Sequence, residues 1–322
     1  MSVQPGPRNL ITDVAGLSVG QAHDDILVSG VTVLLPEEGW VAACDIRGGG
    51  PGTRETDALA PGRLVEHADA LVFAGGSAFG LSAADGVMGW LAARERGFDT
   101  GAAHVPIVPA AILYDLANGG DKRWGETPPY PALARAACEA ATANHEQGRV
   151  GAGFGARAGA RAGGVGSVSA VDSETGATVG ALAIVNSFGS VTLEDGAFYA
   201  WPYEIDGEFG GRRPTGKPED PAPYFPKLAG RGPGPRQNTT LVAVATDAAL
   251  DRGQAGRFAA MAQDGLARAI RPAHTPFDGD SVFALASGRA GPVDALGLAR
   301  LGAIAADCAA RAIARGVYEA GG

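Results

Sequence analysis

The chain has 322 residues, 46% hydrophobic and 19% charged, which is enough apolar material for a sizeable core and excludes wholesale disorder. Fifty glycines and 21 prolines without a G-X-Y period exclude a collagen helix and predict tight turns and close backbone approaches instead. A formal charge of −9, from 35 acidic and 26 basic residues, repels phosphate backbones, so no nucleic-acid partner is expected. No uncharged apolar run reaches about 18 residues, and the start lacks a charged n-region followed by an apolar h-region. Neither a membrane partner nor export is therefore expected. Cys44, Cys138 and Cys308 are scattered and odd in number, which fits buried thiols in a reduced cytoplasmic protein.

In chain order, apolar runs with strand character occur at residues 30–35, 41–44, 70–74 and 105–108, each bounded by Gly, Pro, Asp or Asn. Leu81, Ala84, Val87, Met88 and Leu91 repeat at helical spacing, and Gly97 follows as a stop. A second helix is predicted from Pro131 to about Asn144, with proline at its first position. Residues 148–166 are dense in glycine and alanine, and 179–185 read as a buried strand ending in Asn186. Residues 206–237 are irregular, with seven prolines from Pro214 to Pro235, and such a segment cannot join a central sheet. The run TTLVAVAT (239–246) then has the pattern of a strand covered on both faces. Helices are predicted at 254–270 and 293–315, with a strand at 281–285 between them. Leu298, Leu301, Ala305, Cys308 and Ala312 form an apolar stripe on the last helix. This order lacks a strict βαβ alternation and favours a mixed α/β protein of stacked layers.

Two glycine-rich loops, RGGGPGTRETD (47–57) and AGGSAFG (74–80), match neither a P-loop nor a G-x-G-x-x-G fingerprint and read as structural turns. The five histidines show no ligand spacing. The two aspartates of HTPFDGD (274–280) make an incomplete shell for a hard cation, so no metal is expected. There is no G-x-S-x-G elbow, and the glycines around Ser77 are wrongly spaced for one. QNTTL (237–241) is the informative junction. It reads as a polar turn before a strand or as a self-cleavage site, a glycosylation sequon being excluded without secretion. In the second reading the Thr239 hydroxyl attacks the Asn238 carbonyl, and water resolves the resulting ester. The freed α-amine, with a reference pKa of about 7.7–8.0, then serves as base for its own hydroxyl.

Ordered motifs run nearly end to end: NLITDVAGLSVGQAH (9–23), RGGGPGTRETDAL (47–59), VFAGGSAFGLSAADGVMGWL (72–91) and VPIVPAAILYDL (105–116). They continue with VGAGFGA (150–156), VNSFG (185–189), NTTLVAVATD (238–247) and HTPFDGDSVFA (274–284). In these the chain resembles the DmpA-type family of self-processing N-terminal-nucleophile hydrolases. That family includes L-aminopeptidase/D-amidase/esterases, β-peptidyl aminopeptidases, a pantetheine hydrolase and the nylon-oligomer hydrolase NylC. The resemblance implies an αββα-like sandwich, one domain over 1–322, cut between Asn238 and Thr239 into an α chain (1–238) and a β chain (239–322).

It also implies roles. Thr239 is the nucleophile, and Asn186 is the side-chain donor that stabilises the tetrahedral oxyanion. Asp278 and Asp280 orient the nucleophile and its amine. In an extended D-G-D stretch they point to the same side, and a carboxylate beside the amine raises its pKa. Tyr114 resembles a pocket tyrosine, while Gly75, Gly76 and Ser77 shape the pocket wall. No cofactor is implied, and homo-oligomers built from dimers stacked into tetramers are. One departure stands out: the position of NylC's catalytic lysine corresponds to Ala160. Arg161 is adjacent and Arg157 lies three before, but a guanidinium cannot act as a base.

The expected activity is that of an autoprocessed threonine amide hydrolase, aminopeptidase-like on small peptides or amides, working through an acyl-enzyme on Thr239. An endo-acting hydrolase of 6-aminohexanoate oligomers is the alternative within enzymes. A catalytically inactive binding scaffold is the alternative outside them.

Overall fold

In a computed structural model of the chain, residues 3–216 and 238–321 are described. The longer strands are β1 (Leu17–Asp24), β2 (Ser29–Pro36), β3 (Trp40–Ile46), β4 (Leu71–Ala74), β5 (Ala110–Ile112), β6 (Val165–Asp172), β7 (Thr178–Asn186), β8 (Thr239–Ala249) and β9 (Ser281–Pro292). The helices are α1 (Ala83–Ala92), α2 (Tyr130–Glu139), α3 (Arg252–Ala262), α4 (Asp264–Ala269) and α5 (Ala295–Glu319). A 7-stranded sheet runs in the order Val3–Gln4, β6, β7, β8, β9, β3, His67–Ala68. A 5-stranded sheet runs β1, β2, β4, β5, Thr53–Arg54. The two stack face to face, with α3, α4 and α5 covering the larger and α1 and α2 the smaller. This is the expected αββα sandwich.

The alternation along β8 builds the layers. Val242 and Val244 face the helices, whereas Leu241, Ala243 and Ala245 enter the layer between the sheets. All of these side chains are fully buried, as the uninterrupted apolar run demands. By the same parity Thr239 belongs to the side of the strand that faces the smaller sheet. α5 starts on an Asp294 cap that accepts the Gly297 N–H at 2.7 Å. Its buried stripe then lies directly on β6. A Cβ at Gly166 would come within 2.0 Å of the Ala312 carbonyl, so backbone-to-backbone approach accounts for part of the high glycine content.

Several elements differ from expectation. α2 stops at Glu139 because Thr142 pairs with Val19 through two backbone hydrogen bonds of 3.0 Å, which draws the chain out of the helix. Residues 105–108 form no continuous strand. Pro106 and Pro109 cannot donate, and the N–H groups of Ile107 and Val108 go to the carboxylates of Asp69 and Glu55. The long helix expected at 254–270 divides at Gln263, whose side-chain amide donates to the Asp45 carbonyl at 2.7 Å. β1 and β6, neither expected, are half-polar strands whose pairing is decided by distant partners. Of the proline-rich stretch, residues 206–209 form a turn and 210–216 are irregular, and the rest up to Gln237 lies outside the described residues. Cys138 and Cys308 are buried and Cys44 is half-buried, all as thiols. Among the described residues no helix is long and apolar enough to cross a membrane.

Candidate active site

Three neighbouring strands of the larger sheet bring the candidate residues together. β7 ends at Asn186 directly opposite Thr239, the first residue of β8. β9 runs parallel on the other side of β8, and the D-G-D segment that precedes it reaches Asn238 through a bridge at Asp278. Asn238 and Thr239 are both buried. The Asn238 N–H donates to the Phe277 carbonyl at 2.8 Å, and the Asn238 carbonyl accepts the Gly279 N–H at 2.8 Å. The Thr239 hydroxyl donates to that same Asn238 carbonyl. Thus the carbonyl preceding Thr239 lies between a hydroxyl and a fixed backbone donor, and such donors can hold negative charge on a carbonyl oxygen.

The D-G-D segment lies against Thr239. It is Gly279 that faces the hydroxyl: a Cβ there would lie 2.7 Å from Thr239 Oγ1. Asp278 and Asp280 serve the surrounding backbone, and neither is hydrogen-bonded to the Thr239 hydroxyl. Asp278 accepts the Phe188 N–H at 3.1 Å through one oxygen, and the Thr275 hydroxyl and N–H at 2.5 and 3.1 Å through the other. Burial, followed by the charge of Asp280, pushes the Asp278 carboxyl up to about 6. Asp280 accepts the Thr240 N–H at 2.8 Å and, on its second oxygen, the N–H and Nδ1 of His274 at 2.9 and 3.0 Å.

The loop RGGG is what lets this segment sit deep. The N–H groups of Gly48 and Gly50 donate to the carbonyls of Asp280 and Asp278, and a Cβ at Gly48 would come within 2.3 Å of Asp278 O. It is a structural cradle, as its sequence suggested.

Asn186 uses its amide to tie two neighbours. Its Nδ2 donates to the Tyr114 carbonyl at 3.0 Å, and its Oδ1 accepts the Arg157 N–H at 2.9 Å. Tyr114 follows β5 and so brings the smaller sheet to the site. The second glycine loop is fastened on both sides of it. Ser77 N–H donates to the Leu113 carbonyl at 2.9 Å, and Gly76 N–H donates to the Asp115 carboxylate at 2.7 Å. Gly76 and Ser77 are left-handed, with φ of 83° and 53°. Gly75 passes so close to Asp115 and Ser29 that a Cβ would lie 2.2 Å from each. Asp115 is buried, and burial raises its carboxyl above the usual range.

Ala160 sits exposed at the tip of a short hairpin between Arg157–Ala158 and Arg161–Ala162, which is tied beside Asn186 by the Arg157 N–H and to the Ser187 carbonyl by the Gly159 N–H at 3.1 Å. Arg161 is half-buried and donates through Nε to the Thr192 hydroxyl at 3.2 Å. The structure therefore groups Thr239, Asn238, Asn186, Asp278, Asp280 and the Tyr114 backbone. Gly75, Gly76 and Ser77 lie behind Tyr114, and Arg161 lies out on the hairpin. Sequence reasoning missed the Gly279 N–H, the His274–Asp280 contact and Asp115. The signal for the first was on view, a glycine held between two aspartates. Among the described residues no three or more His, Cys, Asp or Glu side chains stand together as a metal site.

Residues 9–322 match the model of Peptidase family S58. An uncharacterized aminopeptidase of Mycobacterium tuberculosis is 46% identical over 331 aligned residues, covering 97% of this chain and 94% of its own. A 6-aminohexanoate-oligomer endohydrolase of Kocuria sp. is 32% identical over 289 residues, covering 87% of this chain and 75% of its own. Among solved structures, a Burkholderia sp. β-aminopeptidase superposes with a TM-score of 0.72 at 22% identity, covering 97% of this chain and 87% of that one. The L-aminopeptidase D-Ala-esterase/amidase of Ochrobactrum anthropi, described as a variant of the Ntn-hydrolase fold, gives 0.68 at 21% identity, covering 97% and 86%. These two establish a shared fold. The family match over nearly the whole length, together with the aminopeptidase-named relative, establishes membership: this chain belongs to peptidase family S58 and is a hydrolase of peptide or amide bonds.

Proposed function

We propose that the chain matures by cutting itself between Asn238 and Thr239 and then hydrolyses amides through an acyl-enzyme on Thr239. The observation that carries this reading is the Asn238 carbonyl, held by the Gly279 N–H at 2.8 Å with the Thr239 hydroxyl against it. In maturation the Thr239 oxygen bonds to the Asn238 carbonyl carbon, and Gly279 N–H stabilises the oxyanion. The C–N bond then breaks, the nitrogen takes the proton given up by the hydroxyl to become the Thr239 amine, and water hydrolyses the ester. In turnover that amine accepts the hydroxyl proton as the oxygen attacks the substrate carbonyl. The leaving amine departs with a proton, and water releases the acyl group. Asn186, opposite Thr239 at the end of β7, supplies the side-chain donor.

The substrates in this reading are small peptides or amides with a free amino end, in keeping with the name of the Mycobacterium relative. A second reading, endo-hydrolysis of linear 6-aminohexanoate oligomers, is favoured by the name of the Kocuria relative. Turnover of an aminoacyl p-nitroanilide without attack on an amino-blocked oligoamide supports the first, and the reverse supports the second.

The test of both steps is intact mass and N-terminal sequencing after incubation. Wild type is expected to yield a fragment beginning Thr-Thr-Leu-Val. Thr239→Ala is expected to remain full length, with activity reduced by roughly 10³-fold or more, the scale seen when a nucleophile is removed. Thr239→Ser keeps a hydroxyl and is expected still to cut. A cleaved and active Thr239→Ala protein eliminates the mechanism. A wild-type chain that stays whole and inert points instead to a binding scaffold.

A further inference from the structure

His274 opens the turn that carries both aspartates, and its backbone is left-handed at φ 55°, an uncommon conformation for a residue with a side chain. Two hydrogen bonds accompany that conformation, and both end on one atom. The His274 N–H and Nδ1 lie 2.9 and 3.0 Å from Asp280 Oδ2. With a carboxylate as partner, Nδ1 is the protonated, donating nitrogen. Asp280 is 1% exposed, and its other oxygen takes the Thr240 N–H at 2.8 Å. The base of the turn is anchored as well, because Arg271 and Ser190 exchange two backbone hydrogen bonds of 2.9 Å. That fastens it to the loop that follows Asn186.

This linkage matters most after the chain has been cut. In the uncut chain Thr239 is held on both sides, by Asn238 before it and by β8 after it. Once the Asn238–Thr239 bond is gone, Thr239 is a chain terminus, and termini fray unless tied down. Beyond the ladder to β7, the first tie along the new terminus is Thr240 N–H to Asp280.

We propose that His274 is a positioning residue that locks the Asp280 carboxylate, so that Asp280 tethers the new N-terminal end of β8 and keeps Thr239 in place during turnover. The inference rests on the Thr239 reading above. It is specific to the cut enzyme: loss of the imidazole should impair turnover while leaving maturation nearly intact.

Two substitutions separate the side chain from the backbone. His274→Gly adopts positive φ readily and keeps the N–H, but lacks the Nδ1 donor. His274→Asn also accepts positive φ, and its side-chain amide can donate where Nδ1 does. Each variant is incubated, its cut fraction is quantified by intact mass, and kcat and KM for an aminoacyl p-nitroanilide are normalised to that fraction. For His274→Gly the expected result is a maturation half-time within about 3-fold of wild type and a kcat lowered roughly 10–100-fold, the scale of a misplaced reacting group. His274→Asn should recover most of that loss.

Wild-type kcat in His274→Gly overturns the proposal, even with a lowered melting temperature, because the histidine then only stabilises the turn. Failure of His274→Gly to mature overturns it, and so does an equal kcat loss in both variants. Thr239→Ala, run alongside, keeps the two claims apart. If it is inactive, the Thr239 reading stands whatever His274 does; if it is active, that reading falls independently.

Discussion

The two sheets contribute to the site in different ways. The larger sheet delivers strand ends: Asn186, Thr239 and the D-G-D segment come from β7, β8 and the lead into β9, side by side in one hydrogen-bonded array. Their relative positions are set by ladder register, which is strongly specified where a face of the sheet is buried. The smaller sheet delivers a loop, the Gly75–Gly76–Ser77 turn fastened around Tyr114 by Leu113 and Asp115. In the proposed mechanism the bond-making groups therefore stand on the paired strands, and the wall stands on the loop. In the reading proposed here, damage to the first should abolish chemistry, whereas damage to the second should alter substrate fit and stability.

After loss of the Thr239 hydroxyl itself, the largest expected effect comes from Gly279→Ala. The new methyl would stand 2.7 Å from the Thr239 hydroxyl and displace it from the carbonyl it must attack. Intact mass should show the full-length chain persisting, with hydrolysis down by roughly 10²–10³-fold, comparable to loss of an oxyanion donor. Rapid cutting in this variant would mean that the hydroxyl does not act from where it sits.

The next effect is one of pH. The fold raises Asp278 from 3.8 to about 6, chiefly by burial, so it binds a proton more tightly than the unfolded chain does. The stability this contributes is fully present below about pH 4 and is lost as pH rises through about 6. In a Thr239→Ala background, kept uncut for clean unfolding, Asp278→Asn should flatten that part of the urea-midpoint profile. A profile unchanged by the substitution would place the titration elsewhere.

The smallest effect is expected on the smaller sheet. Gly76→Ala places a methyl 2.1 Å from the Tyr130 ring at a φ of 83°. Destabilisation of about 1–3 kcal/mol is expected from the overpacking, read as a lower melting temperature. KM should rise several-fold while cutting at Asn238 proceeds. If maturation stopped instead, the division of labour between the sheets would be wrong.

Much of this was legible in the linear chain. β8 announced itself as an unbroken β-favouring run and α5 as a periodic apolar stripe, whereas N-T-T and D-G-D pointed to a common centre through the family resemblance. Those are local patterns, and local patterns determine which element forms and which face it buries. Only the tertiary structure decided the rest. It set Asn186 opposite Thr239 and turned Gly279, rather than either aspartate, toward the hydroxyl. It bound His274 to Asp280 and ended α2 where Thr142 found Val19. Each of these depends on pairing between residues far apart in the chain. Register and close approach are properties of two segments at once, and neither segment carries them alone.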